Sequence, residues 1–182
     1  MAIYTKKGDK GETSMYDASG AQRARVSKSS LKVEALGAID ELNSFLGVVK
    51  TFAEDKELIA DIARIQVNLL TIGSITAGSK LGFSALETKN LEKQIDNLEG
   101  TLPVLKNFVI PGGSKTAGLL QFARSLSRRA ERRVVSLSQY EKVRPQILEY
   151  LNRLSDFLFM LAREQNHKNG IADEVWVGKK KR

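Results

Sequence analysis

Cysteine is absent from the 182 residues, which removes disulfides, thiolate metal sites and cysteine nucleophiles together. Histidine occurs once, at His167, so a Ser-His-Asp triad could be built only around that residue. The Glu164-x-x-His167 pair matches a fragment of di-iron bundles, but such sites need two copies and a single histidine cannot supply the second. There is no uninterrupted run of about 18 apolar residues, so no membrane span is expected. The opening Met1-Ala-Ile-Tyr-Thr-Lys-Lys-Gly-Asp9 lacks both an apolar secretory core and an Arg- and Ser-rich leader, which makes the cytoplasm the expected location. A Walker A loop is missing too. Gly113-Ser-Lys-Thr116 fails that pattern, because Ser114 separates Gly113 from Lys115 and residue 108 is Phe. Strand alternation of useful length is also lacking.

Hydrophobic residues make up 42% of the chain and charged residues 27%, a globular rather than disordered composition. The length suits one domain. A formal charge of +8 favours an anionic partner, either nucleic acid or a phosphorylated small molecule. Residues 1–28 show no sustained period and read as an irregular arm with Gly8, Gly11 and Gly20. From residue 29 a helical period takes over. Ala35, Ile39, Leu42, Leu46 and Val49 form one apolar stripe, and Leu58, Ile62, Ile65, Leu69 and Ile72 a second. Ser84 and Glu87 have capping-box spacing ahead of Leu91, Ile95 and Leu98. Residues 100–113 break the pattern with Pro103, Phe108-Val-Ile110 and Pro111-Gly-Gly113. A fourth helix is expected from the N-cap Ser114 to about Gln139, and a fifth with Pro145 in its first turn and Ile147, Leu151, Leu154, Leu158 and Leu161 on its stripe. The fold class is therefore all-α: a single-domain five-helix bundle, with arm 1–28, bundle 29–167 and tail 168–182. Trp176 reads as an anchoring aromatic, Lys179-Lys-Lys-Arg182 as a solvated terminus and His167 as a surface residue near a helix end.

The fourth helix carries Arg124-Ser-Leu-Ser-Arg-Arg-Ala-Glu-Arg-Arg133. At 100° per residue Leu119, Ala123, Leu126, Ala130, Val134 and Leu137 fall within about 80° and form the core stripe. Arg124, Arg128 and Glu131 share a separate face spanning roughly 60°. Arg132 lies beyond Arg128, and Arg129 and Arg133 sit on the opposite flank. All five cations are Arg, whose planar fork suits phosphate oxygens. The competing reading is a solvated face laced with Arg–Glu pairs. In the arm, Thr5-Lys-Lys-Gly-Asp-Lys-Gly-Glu-Thr-Ser14 could make a nest of N–H groups around Gly8 and Gly11, with Thr13 or Ser14 adding hydroxyls and Asp9 holding magnesium through water. A flexible basic tail is the alternative. Asn152, Asp156 and Phe159 share one face of the last helix, where Asn152 either ties two helices together or meets a ligand. Asp40 and Glu41 interrupt the first helix and could pair with arginines of another helix or subunit.

In combination these segments resemble the propanediol-utilisation type of cobalamin adenosyltransferase. The matching pieces are Tyr4-Thr-Lys-x-Gly-Asp-x-Gly-x-Thr13, Val33-Glu-Ala-x-Gly37 with Asp40-Glu-Leu-Asn-Ser44, Phe108-Val-Ile-Pro-Gly-Gly113, Arg124-x-x-x-Arg-Arg-Ala-Glu-Arg132 and Tyr150-Leu-Asn-Arg-Leu-Ser-Asp-Phe-Leu-Phe159. They stand in the family's order over nearly the whole chain. The resemblance implies a homotrimer with ATP, its Mg²⁺ and cobalamin bound between subunits, and transfer of the 5′-deoxyadenosyl group of ATP to cob(I)alamin. It implies ATP contacts from Thr5, Lys6, Lys7, Gly8, Thr13, Ser14 and Lys28 in the arm, and from Arg128, Arg129, Ala130, Glu131, Arg132 and Asn152 in the bundle. Lys7 departs from the Thr or Ser common at its place, so a backbone contact is what carries over there. Arg124 would pair with Asp40 across the interface, and Phe108 would press on the lower face of the corrin. A flavin or other reductase and B12-dependent enzymes are the implied partners, with no nucleic acid or membrane.

Residue chemistry agrees with this implication. Cob(I)alamin is itself the nucleophile, so the protein needs no Cys, Ser or His to attack; its work is positioning, charge stabilisation and exclusion of water. Two rivals use the same residues. A nucleic-acid-binding bundle would bind through the arginine face with a steep salt dependence, and a nucleotide-sensing bundle would bind without turnover.

Overall fold

A computed structural model describes residues 4–16 and 23–178; Gly20 and the Lys179–Arg182 terminus lie outside the described residues. The five expected helices form: α1 (Leu31–Phe52), α2 (Lys56–Thr76), α3 (Leu86–Thr101), α4 (Lys115–Ser138) and α5 (Pro145–Lys168). Their starts follow the sequence chemistry. Ser30 accepts from the N–H of Val33, Asp55 from those of Glu57 and Leu58, and Ser114 from that of Ala117, each satisfying donors the first turn leaves free. Pro145 opens α5 in its first turn. The capping box at α3 does not form. Ser84 Oγ accepts from Leu86 N–H, and Glu87 instead accepts from Asn68 Nδ2 at 2.9 Å, because Asn68 on α2 offers it an interhelical bond.

The arm contains strands that alternation did not reveal. β1 (Glu12–Tyr16) and β2 (Arg23–Ser27) pair antiparallel, with Thr13 opposite Val26 and Met15 opposite Ala24. Five residues each are too short for a period to stand out. Among the hairpin residues whose burial is described, Met15 alone is buried, and it lies over the far end of α4 near Leu137 and Tyr140.

In the bundle α1 packs between α2 and α4, and α5 between α4 and α3. The stripes named above meet in one core of Leu42, Leu46, Ile62, Ile65, Leu69, Ala123, Ala130, Leu151, Leu154 and Leu158. On α4 the first fully buried leucine is Leu120 rather than Leu119, which is only partly covered. By length and composition α2 is long and apolar enough to cross a membrane; in this fold one face of it fills the core. At the opposite end Lys168 clamps α5 onto α2, its ammonium 2.6 Å from the Asp55 carboxylate and 2.8 Å from Glu164. The hydrogen bond from Lys168 holds the Asp55 carboxyl down at about 2, against burial, with help from Gln165.

Candidate functional site

The arm is a turn built on glycine. Gly11 has φ +79° and its N–H donates to Gly8 O, while Lys28 N–H donates to Gly11 O at 2.8 Å. The turn therefore folds back onto the start of α1, and Gly8 sits so close to Lys28 that a Cβ there would lie 3.3 Å from the ammonium nitrogen. Thr5, Lys6, Lys7, Asp9, Ser14 and Lys28 are exposed, and Thr13 is half-buried in the hairpin. Arg25 braces the turn, binding Glu12, the Ser14 hydroxyl and Lys7 O. Sequence reasoning missed this residue; its place opposite Ser14 becomes visible only with the strand register.

The arginine helix divides as its angles require. Arg124 and Arg128 face a cleft of about 650 Å³, shared with Asp156 and Phe159 of α5 and closed by Val104 and Leu105. Arg124 donates through Nε to the buried Gln121 at 2.9 Å. Burial and the neighbouring Arg128 charge lower its pKa, and a second unpaired cation is tolerated there only while the cleft stays open to water or receives an anion. Glu131 accepts from Asn152 at 2.8 Å, so Asn152 ties α5 to α4 and holds the carboxylate still. Arg129 pairs with Glu41, and Arg133 with Glu34 at 3.7 Å: the flank arginines do form the Arg–Glu lacing, with α1. Arg132 is exposed. Ala130 is fully buried in the core, so its side chain cannot meet a ligand. Asp40 is exposed and, among the described residues, has no ion pair. No hydrogen bond or ion pair joins the arm residues 5–14 and 28 to Arg124, Arg128, Arg132 or Asn152 among the described residues.

Between α3 and α4 the chain carries Phe108 on the surface, its ring 80% exposed, beside a depression of about 470 Å³ that it shares with Leu105 and Trp176. Trp176 does anchor, but through its backbone: its N–H donates to Phe108 O at 2.8 Å, and Ile110 N–H donates to Glu174 O at 2.7 Å. Beneath this lies a buried polar group that the sequence reading did not single out. Arg163 Nε donates to Asp173 at 2.7 Å and Nη2 to Pro103 O at 2.6 Å. Asn166 donates to Gly112 O and Asp173, and its Oδ1 accepts from Ser114 N–H at 2.9 Å. Arg163 and Asp173 side chains are only 5% and 15% exposed, and removing one partner of such a pair costs about 3–5 kcal/mol. A signal existed: Phe157–Ala162 is apolar with hardly a break, which marks a helix buried all round, and polar residues just beyond it must find partners.

Compared with known proteins, residues 3–165 match the family model described as cobalamin adenosyltransferase. The chain is 41% identical over 181 residues to a corrinoid adenosyltransferase of Bacillus subtilis, covering 95% of this chain and 91% of that one. It is 38% identical to the corrinoid adenosyltransferase PduO of Citrobacter freundii, covering 96% of this chain but only 54% of that longer protein. A solved structure of a phenylalanine-to-alanine variant of the PduO-type ATP:corrinoid adenosyltransferase from Lactobacillus reuteri, complexed with cobalamin and ATP, superposes with a TM-score of 0.91 at 33% identity, covering 97% of this chain and all of that one.

Proposed function

The chain belongs to the cobalamin adenosyltransferase family, and from that premise we propose how its residues move the 5′-deoxyadenosyl group of ATP to cob(I)alamin. The cobalt attacks the ribose 5′ carbon, the C5′–O bond breaks, and its electron pair leaves with the triphosphate. Products are adenosylcobalamin and triphosphate. No protein atom is consumed, so every residue acts by place and charge.

The observation that carries this division is the pair Arg124 and Arg128, two adjacent guanidiniums facing one cleft that opens beside the Phe108 loop. Arg128 and Arg132 grip the triphosphate, where charge grows as the bond breaks. Glu131, steadied by Asn152, orients an arginine or a ribose hydroxyl. The turn at Gly8, with Lys28 beside it and Thr5, Lys6, Lys7, Thr13 and Ser14 around it, presents N–H and hydroxyl donors to the phosphates. Magnesium would arrive with the triphosphate and neutralise part of its charge, and Asp9 would be the arm carboxylate to hold it through water. Phe108, exposed on its loop, covers the lower corrin face and keeps the dimethylbenzimidazole off cobalt.

Among the described residues arm and wall share no hydrogen bond or ion pair, and neither Asp40 nor the Arg124 terminal nitrogens have an ionic partner there. A homotrimer meets both needs, with the arm of one subunit against the wall of the next and Arg124 paired to Asp40 across the interface. Arg129 contributes to the ATP wall once its exposed pair with Glu41 yields, a pair of little strength at the surface. We further infer one cobalamin adenosyltransferase domain over 1–182, a cytoplasmic place, and a reductase that supplies the cob(I) state.

The test mixes protein, ATP, Mg²⁺ and reduced cobalamin without oxygen, and follows the adenosylcobalamin spectrum and triphosphate. Formation of both supports the reading; their absence overturns it. A mass measurement in solution checks the trimer.

A further inference from the structure

Phe108 is the residue to which the proposed function assigns the lower corrin face, yet its ring is 80% exposed and so is not held by packing of its own. What is held is its backbone. Phe108 O accepts from Trp176 N–H, and Ile110 N–H donates to Glu174 O, around an isolated bridge between Val109 and Val175. A bridge this short does not hold a chain segment alone.

The fixing points lie one turn apart on α5. Arg163 reaches Pro103 O at one end of the Phe108 loop and Asp173 at the start of the tail. Asn166 reaches Gly112 O and Ser114 N–H at the loop's other end and the same Asp173, and its own carbonyl accepts from Ile171 N–H at 2.9 Å. Loop and tail are thereby fixed to one rigid helix through two buried side chains. The fit at Gly113 is close: its φ is +105° and a Cβ would come within 2.0 Å of Asn166 Oδ1.

We propose that Arg163, Asn166 and Asp173 are positioning residues for the corrinoid: they join the 103–113 loop to the 171–176 tail and so set where Phe108 stands. This rests on the reading of Phe108 given above. Asp173 acts through the loop, at a remove from the cobalt, and its effect should concern the step in which the lower base is displaced. A corrinoid that carries no such base makes that step unnecessary.

The experiment compares kcat/KM for cob(II)alamin and for cob(II)inamide, which lacks the dimethylbenzimidazole nucleotide, each reduced on the enzyme by the same added one-electron reductant, in wild type, Asp173→Asn, Arg163→Lys, Asp173→Glu and Phe108→Ala. Folding of each is checked by circular dichroism melts. We expect Asp173→Asn to lose about ten-fold or more with cobalamin, as displaced groups do, with cobinamide turnover and the KM for ATP nearly unchanged. Asp173→Glu, which keeps the carboxylate, should recover part of the loss, and Arg163→Lys should behave as Asp173→Asn does. Equal losses on both corrinoids would assign the group to general stability and overturn the proposal, as would no loss on cobalamin. If Phe108→Ala shows a cobalamin-selective loss and neither Asp173→Asn nor Arg163→Lys does, the positioning role alone falls. If Phe108→Ala shows none, the reading of Phe108 falls and this inference with it.

Discussion

Gly113→Ala puts the closeness of Asn166 to the loop to a direct thermodynamic test. The new methyl would meet Asn166 Oδ1 at 2.0 Å and Cγ and Nδ2 at 2.5 Å, so one of the two must move. If the backbone stays, φ of +105° places an L-residue in left-handed territory, at about 1–2 kcal/mol. If Asn166 moves, Ser114 N–H and Gly112 O lose their partners in a part-buried place, at about 1–3 kcal/mol each. The combined loss is about 3–8 kcal/mol, a large share of a typical domain stability of roughly 5–15. For a chain of this length that lowers Tm by about 6–32 °C. The assay is urea and thermal unfolding at one fixed protein concentration, since subunit association shifts apparent stability. The double variant Gly113→Ala with Asn166→Ala separates the two costs. The smaller side chain gives the methyl room, so the pair should be less destabilised than the sum of the singles by about 1 kcal/mol or more. A single-variant loss below about 1 kcal/mol, or strict additivity in the cycle, would refute the contact.

The arginine wall and the Lys168 clamp each carry a testable outcome of their own. Arg128→Ala should cut kcat by about a hundred-fold or more, as loss of one donor to a developing oxyanion does, with the mass in solution unchanged from that of the wild type; dissociation instead would give that arginine to the assembly proposed above. Asp55 has a folded value of about 2 against an ordinary 3.8, so the ionised form is favoured by folding. Its contribution is complete above about pH 4 and is lost as pH falls through about 2. Asp55→Asn can still cap α2, so it should cost about 1–2 kcal/mol near pH 6, where Lys168 is charged, and almost nothing at pH 2; a cost independent of pH would contradict the Lys168 clamp.

Much of the fold was legible because helices declare themselves by period. The stripes from Ala35 to Val49 and from Leu58 to Ile72 are long enough to fix both the elements and the faces they bury, and Ser114 and Pro145 mark starts by chemistry that acts within one turn. What was not legible depended on partners distant in sequence. Glu87 left its expected cap because Asn68 lay across an interhelical gap. The hairpin at Thr13 and Val26 is too short for alternation to show. Arg163 and Asn166 sit where α5 is buried on all sides, and the phase that identifies a core face vanishes once every face is core. For the candidate site, the angular separation of Arg124, Arg128 and Glu131 from the flank arginines carried over to the structure. The pairing of Arg129 with Glu41 needed the spatial order of α1 and α4, which no pattern within one helix contains.

The separation of the Gly8 turn from the arginine wall within one chain has a genetic consequence. In the proposed trimer each working site is inherited from two copies of the polypeptide. Two alleles, one disabled at Lys28 and the other at Arg128, would each be inactive alone and yet restore function together, because a random ring pairs a sound arm with a sound wall in about one site of four. The same two lesions placed on a single allele beside an intact one would also leave about one site of four, but shared differently: some rings keep every site, whereas in the crossed pair no ring has more than one. Which allele carries each defect would thus decide how working sites are shared among rings, while their average number stays the same.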